Sequence, residues 1–135
     1  MPYLLGERAP VWNVSAKAAF VGLQKKHEEG HLQRAVLEGI AFNLYQLLHD
    51  IEKVTEEIEV IYASGGYTQN KLGMQIIADV FNKTIHLQAH EEGTAWGAAI
   101  LAIQALDMEY NTVQHNTAQS FSPNISNHKK YKAIY

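Results

Sequence analysis

The sequence predicts an α/β protein in which helices pack on a small sheet. A long segment of helical period at 31–54 opens the pattern. A β-branched run at 58–63 follows, closed by Ser64-Gly65-Gly66 and succeeded by a second helical segment. The same succession then recurs: a short run at 83–89, a glycine at Gly93, and a third helical stretch to Leu106. Strands that alternate with helices through glycine turns are the mark of layered α/β architecture.

Residues 1–16 read as loop, punctuated by Pro2, Gly6, Pro10 and Asn13. Residues 17–23 read as a short strand or turn. His27 to Gly30 is polar and precedes a helix. Over 31–54 the residues Leu32, Val36, Ile40, Leu44, Leu47, Leu48, Ile51 and Val54 recur at steps mostly of three or four, and so draw one apolar stripe. Gly39 inside that stripe costs about 1 kcal/mol against Ala and points to close packing. The run Ile58 to Ala63 is a strand, and Asn70 to Asn82 a helix that buries Leu72, Ile76, Ile77, Val80 and Phe81. Lys83 to Ala89 is a second strand. Gly93 to Leu106 is a helix of small apolar residues, suited to lying close on a sheet. Asn111 to Asn127, rich in Asn, Ser, Thr and Gln, reads as loop or mobile, and 128–135 as the start of a helix that the chain end truncates. A sheet of two or three strands has exposed edges unless something covers them.

With 135 residues the chain has single-domain length, and 47% hydrophobic residues exclude disorder as a whole. Eleven Lys and Arg are scattered through a chain of net charge −3, which is no footprint for nucleic acid or an acidic membrane. Lys129, Lys130 and Lys132 read as a solvated tail. The absence of cysteine excludes disulfides, thiol catalysis and cysteine metal sites, and fits a cytoplasmic protein. No apolar run approaches the roughly 18 residues of a membrane span.

Two glycine motifs carry chemistry. Ser64-Gly65-Gly66-Tyr67-Thr68-Gln69-Asn70 follows a strand and opens a helix. Glycines there let a flat ligand approach the backbone, and a helix N-terminus offers free N–H groups. A nucleotide suits such a turn, and so does a plain strand-to-helix connection capped by Asn70. Glu91-Glu92-Gly93-Thr94-Ala95-Trp96-Gly97-Ala98-Ala99 reads either as a second wall of the same cleft or as a capped, tightly packed helix. His27-Glu28-Glu29-Gly30-His31 satisfies the zinc-protease pattern H-E-x-x-H, but that chemistry needs both imidazoles on one face of a continuous helix. Here Gly30 lies between the histidines and no apolar face precedes them, so the segment reads as a helix entrance. His86 and His90 lie in a strand and turn and face different ways. Asp79, among apolar helix residues, reads as a capping or salt-bridge group rather than a catalytic one.

Taken together, the segments resemble the FGGY carbohydrate kinases. Gly6-Glu7-Arg8-Ala9-Pro10-Val11-Trp12-Asn13 is similar to the family's G-E-R-A-P loop. Ala18, Phe20, Gly22 and Leu23, then His31, Leu32, Ala35, Val36, Leu37 and Glu38, fit a second signature. Ala63-Ser64-Gly65-Gly66 with Asn70 resembles the adenine-binding turn, and the segments beginning at Gln75 and Glu92 follow in family order. The resemblance implies part of an actin-like, ribonuclease-H-like ATPase fold, with ATP between two lobes and Mg²⁺ bridging its phosphates. It also implies that the catalytic base and sugar-binding residues belong to another part of the enzyme. The expectation is therefore an incomplete C-terminal lobe at 1–110 lacking its first strands, with 111–135 outside it, and a chain inactive by itself. Carried over, Gly65, Gly66 and Tyr67 line the adenine pocket with their backbone and Asn70 hydrogen-bonds the base. Tyr67 stands where a small residue or Phe is usual, so its ring is expected to alter the pocket. Lys17-Ala18 and Trp96 also depart from the family pattern. Tyr3 to Arg8 and Leu37 to Tyr45 look most like gluconokinases, with xylulokinases next, so ATP or ADP and a sugar are the expected partners. The rival is a non-catalytic α/β interaction module without nucleotide, which could form homo-oligomers through an open sheet edge.

Overall fold

The computed structural model describes residues 1–88, 93–108 and 117–135. Helix α1 spans Glu29–Glu52 and strand β1 Ile61–Ala63. A single 3₁₀ turn at Gly66–Gln69 leads into α2, Lys71–Phe81, and strand β2 is Ile85–Gln88. Helix α3 is Gly93–Ala105, β3 is Thr117–Phe121 and α4 is Ile125–Ile134. The sheet runs β1-β2-β3, with β1 and β2 parallel and β3 antiparallel to β2.

Helix α2 is the centre of the molecule. Met74, Ile76, Ile77, Ala78 and Val80 are buried, and with Ala41, Ile85, Phe121 and Tyr131 they form the core. Burial all round follows from its position, with α1, α4 and the sheet against different faces. Leu72, expected inside, is instead half exposed. The helix stops at Asn82, whose φ of 54° is the left-handed conformation common after a helix C-terminus.

In α1 the residues that touch the core are Leu37, Ala41, Phe42, Tyr45 and Leu48. The apolar stripe read from the sequence is rotated from this contact, and Val36, Leu44, Ile51 and Val54 remain exposed. The helix ends where the Thr55 hydroxyl donates to the Ile51 carbonyl at 3.0 Å.

Residues 17–23 form no strand. Phe20, Val21 and Leu23 are exposed, so no sheet neighbour rewards an extended pairing there. The largest difference lies near the C-terminus. The stretch expected as loop up to Asn127 contains β3, paired with β2 through Ile85–Phe121, His86–Ser120 and Leu87–Gln119. Helix α4 starts at Ile125, earlier than expected, because the Asn124 side chain accepts from the Ser126 and Asn127 amides. Its Tyr131 is buried, and that hydroxyl donates to Glu38 at 2.9 Å while accepting from Arg34 at 2.8 Å. Burial raises the Tyr131 phenol above its ordinary pKa.

Among the described residues the sheet has one covered and one open face. Ile61, Ala63, Ile85, Leu87 and Phe121 lie on the side of α2. The alternate positions Tyr62, His86 and Ser120 form a cross-strand row, with His86 Nδ1 2.8 Å from Ser120 Oγ. Helix α3 was expected to lie close on the sheet, yet Ala95, Ala98, Ala99, Leu101 and Ala102 are exposed. The polar His86 and Ser120 offer it no apolar bed.

Candidate functional site

The turn between β1 and α2 positions all four sequence-predicted site residues. Gly65 has φ of 90°, a conformation that side chains rarely adopt, so the chain requires glycine there. The Gly65 carbonyl accepts from the Thr68 amide at 3.0 Å and from the Thr68 hydroxyl at 2.7 Å, which closes the turn on itself. Gly66 has no such reason to be glycine. Its φ is not positive, and a Cβ built on it would meet nothing within 4 Å. Among the described residues, open space thus lies over two consecutive glycines at the start of α2.

Asn70 is the N-cap of α2, as the sequence suggested. Its Oδ1 accepts from the Gly73 amide at 2.9 Å, which fixes the orientation of the carboxamide. The Nδ2 donors are left over, without a partner among the described residues.

Tyr67 contributes backbone to the turn, and its carbonyl accepts from the Asn70 amide at 3.0 Å. Its ring leaves the turn and packs against the core beside Gly73. The phenolic hydroxyl ends buried with no hydrogen-bond partner among the described residues, and burial raises its pKa. A buried orphan hydroxyl costs stability. Tyr67→Phe is therefore expected to stabilise the chain by about 1 kcal/mol, seen as a higher urea midpoint; a lower midpoint would mean that the hydroxyl has a partner.

The two glycine motifs meet. A Cβ on Gly93 would lie 2.9 Å from Ser64 Oγ, so the start of α3 abuts the end of β1. That juxtaposition favours the second-wall reading for Gly93 and Thr94. Glu91 and Glu92 of the same motif, like His90, lie outside the described residues.

The histidine pair of H-E-x-x-H is occupied otherwise. His27 precedes α1 and its Nδ1 accepts from the Gln24 amide at 3.0 Å. His31 sits in the first turn, where its Nδ1 accepts from the Glu28 amide at 3.1 Å and so caps the helix. Asp79 is buried and takes three donors: Gln75 Nε2 at 2.8 Å, the Asn124 amide at 2.8 Å and Asn127 Nδ2 at 2.9 Å. The sequence pointed to a capping or salt-bridge group; the carboxylate instead ties α2 to Asn124, the N-cap of α4, and to Asn127.

Sequence reasoning missed the contact of Tyr67 with Gly73, six positions away across the start of α2. It also missed an apolar groove of about 460 Å³ between α1 and the outer edge of β1. Leu44, Leu47, Ile51 and Val60 line it, with Tyr67 and Thr68 among its walls. Four of the stripe positions in α1 had signalled this apolar surface without saying whether it would be covered.

Comparison with known proteins bears on the fold and the family. The chain is 34% identical to a xylulose kinase of Staphylococcus epidermidis over 140 aligned residues, covering 99% of this chain and 28% of that protein. Its fold matches the crystal structure of a gluconate kinase from Lactobacillus acidophilus with a TM-score of 0.84 and 33% identity, over 98% of this chain and 28% of that one. It also matches Plasmodium falciparum glycerol kinase, solved with ADP, with a TM-score of 0.76 and 29% identity over 98% of this chain and 28% of that one. The chain thus spans a little over a quarter of the length of these relatives. Residues 1–106 match the C-terminal domain of the FGGY family of carbohydrate kinases. The α/β fold described above, helices on a small sheet, is accordingly part of an actin-like ATPase fold, and the chain belongs to the FGGY carbohydrate kinase family.

Proposed function

We propose that the chain holds the nucleotide of an ATP-dependent sugar kinase, in which phosphate passes from ATP to a hydroxyl of a sugar or sugar acid. The observation that carries this is Gly66. Among the described residues neither backbone strain nor packing requires glycine at that position, whereas a flat base approaching the turn would. Gly65, Gly66 and Tyr67 present backbone to the base, and Asn70 presents Nδ2. Because Oδ1 already caps α2, the Nδ2 donors are what Asn70 presents to the ligand.

Among the described residues no cluster of three His, Asp or Glu is placed to hold a metal. In this reading Mg²⁺ arrives on the phosphates of ATP, where it screens their charge. Gluconate was the substrate expected from the sequence. The relatives support xylulose as well, and no residue of this chain is assigned to the sugar.

The test is an ADP titration followed by amide NMR. Shifts confined to Gly65, Gly66, Tyr67 and Asn70 are expected. Asn70→Asp keeps the capping oxygen and removes the donor, so the spectrum should stay dispersed while ADP affinity falls about tenfold. A dispersed wild-type spectrum that ignores millimolar ADP would remove the nucleotide from this chain. The second reading, a non-catalytic interaction module, is favoured by the open apolar groove beside β1, and it gains if that result is obtained.

A further inference from the structure

Of residues 64–70, Tyr67 is the one whose side chain packs against the hydrophobic core. Gly65 and Gly66 have no side chain, Gln69 and Asn70 are exposed, and Thr68 spends its hydroxyl on the turn itself. The Tyr67 ring lies over Gly73, so close that a Cβ there would stand 2.7 Å from its hydroxyl oxygen and 3.0 Å from Cζ. Gly73 is buried in the first turn of α2, with no positive φ to demand glycine. The ring therefore accounts for Gly73: an aromatic on the turn occupies the volume that any side chain on the helix would take.

We infer that Tyr67 is a positioning residue for the nucleotide turn, its ring wedged against Gly73 so that the Gly65–Gly66 backbone is held at one height above α2. This rests on the nucleotide reading of the turn. The internal hydrogen bonds keep the turn's shape, and Gly65 to Thr68 and Tyr67 to Asn70 are satisfied whether or not the turn tilts. The wedge instead fixes its placement relative to the helix. A base that binds through backbone groups gains affinity from such preorganisation, because ordering the turn is then no part of the binding step. The ring also faces the core rather than the open space over Gly66, so it does not narrow the space in which the base would lie.

The experiment uses the whole chain, with ADP as probe. Tyr67→Ala is expected to weaken ADP binding about tenfold under conditions where its amide spectrum remains dispersed. Gly73→Ala pushes the ring aside and also crowds Asn70, whose Cγ would lie 3.3 Å from the new Cβ, and is expected to weaken binding although Ala favours helix. The exchange Tyr67→Ala with Gly73→Phe refills the volume from the helix side and is expected to restore most of the affinity. Phe121→Leu, in the core under β3, lowers stability without touching the turn and is expected to bind as the wild type does. In the ligand-free chain, Tyr67→Ala and Gly73→Ala should both move the amide signals of Gly65, Gly66 and Thr68. If both single variants bind ADP as the wild type does, the wedge is overturned and the nucleotide reading stands. If the wild-type chain ignores ADP, the nucleotide reading falls. The wedge is then judged by those three amide signals, and their constancy in both variants overturns it.

Discussion

Replacing Asp79 with Ala is expected to lower the stability of the chain by about 3–4 kcal/mol, a large part of what a small domain has. Asp79 is 1% exposed and holds Gln75, the Asn124 backbone and Asn127 together through one carboxylate. Two of those donors belong to the start of α4, and Gln75 also donates to the Ser122 carbonyl at 2.9 Å. One side chain of α2 thus organises the whole connection from β3 to α4. Truncation leaves these three donors without their acceptor, and an unmade buried hydrogen bond costs more than a made one contributes. Asp79→Asn keeps the shape and one acceptor but sets an amide donor against the donors of Asn127, so about half of the loss is expected. Urea unfolding measures both. An alanine variant with a wild-type midpoint would show that the carboxylate is replaceable by water.

Phe121→Ala is expected to cost a similar amount, about 3–4 kcal/mol, by a different route. The side chain is the single buried one of β3, whose other four residues are exposed. The strand is held by its ladder with β2 and by this one anchor. Removing the ring opens a cavity under the sheet next to Ile85 and lets the anchor go. Hydrogen exchange should show β3 amides losing protection before those of α2. An unchanged unfolding midpoint would mean that the ladder alone secures the strand.

These two residues explain why the C-terminal region was hard to read. Thr117 to Phe121 shows no alternation of apolar and polar residues, because four of its five side chains face water. Its pairing is decided by β2, whose residues Ile85 to Gln88 precede it in the chain across helix α3. The start of α4 did leave a trace, since Asn124 follows Pro123 and precedes Ile125. The surrounding Asn and Ser residues hid it. By contrast α1 and α2 were legible from their apolar period, and the Gly65–Gly66 turn from its place between a strand and a helix. The face of α1 was misread because three- and four-residue steps fit two adjacent stripes, and only one of them meets α2. At the site, the cap by Asn70 was readable from sequence position. The fit of Tyr67 on Gly73 was not, since it depends on a ring crossing the first turn of the helix.

The outer edge of β1 gives the chain a particular behaviour in crowded solution. No strand of the described residues lies beyond it, and the apolar groove runs alongside. Backbone groups at such an edge are a template for any extended segment that drifts past. Glu56 and Glu59 stand just before the strand, on either side of Glu57, which pairs with Lys83 at 3.1 Å, and their like charge is expected to keep two copies apart at low ionic strength. Salt shortens the reach of that repulsion to within about one Debye length, roughly 8 Å at physiological strength. Colloidal stability and conformational stability are therefore expected to depend on different residues: the first on Glu56 and Glu59 ahead of β1, the second on Asp79 and Phe121.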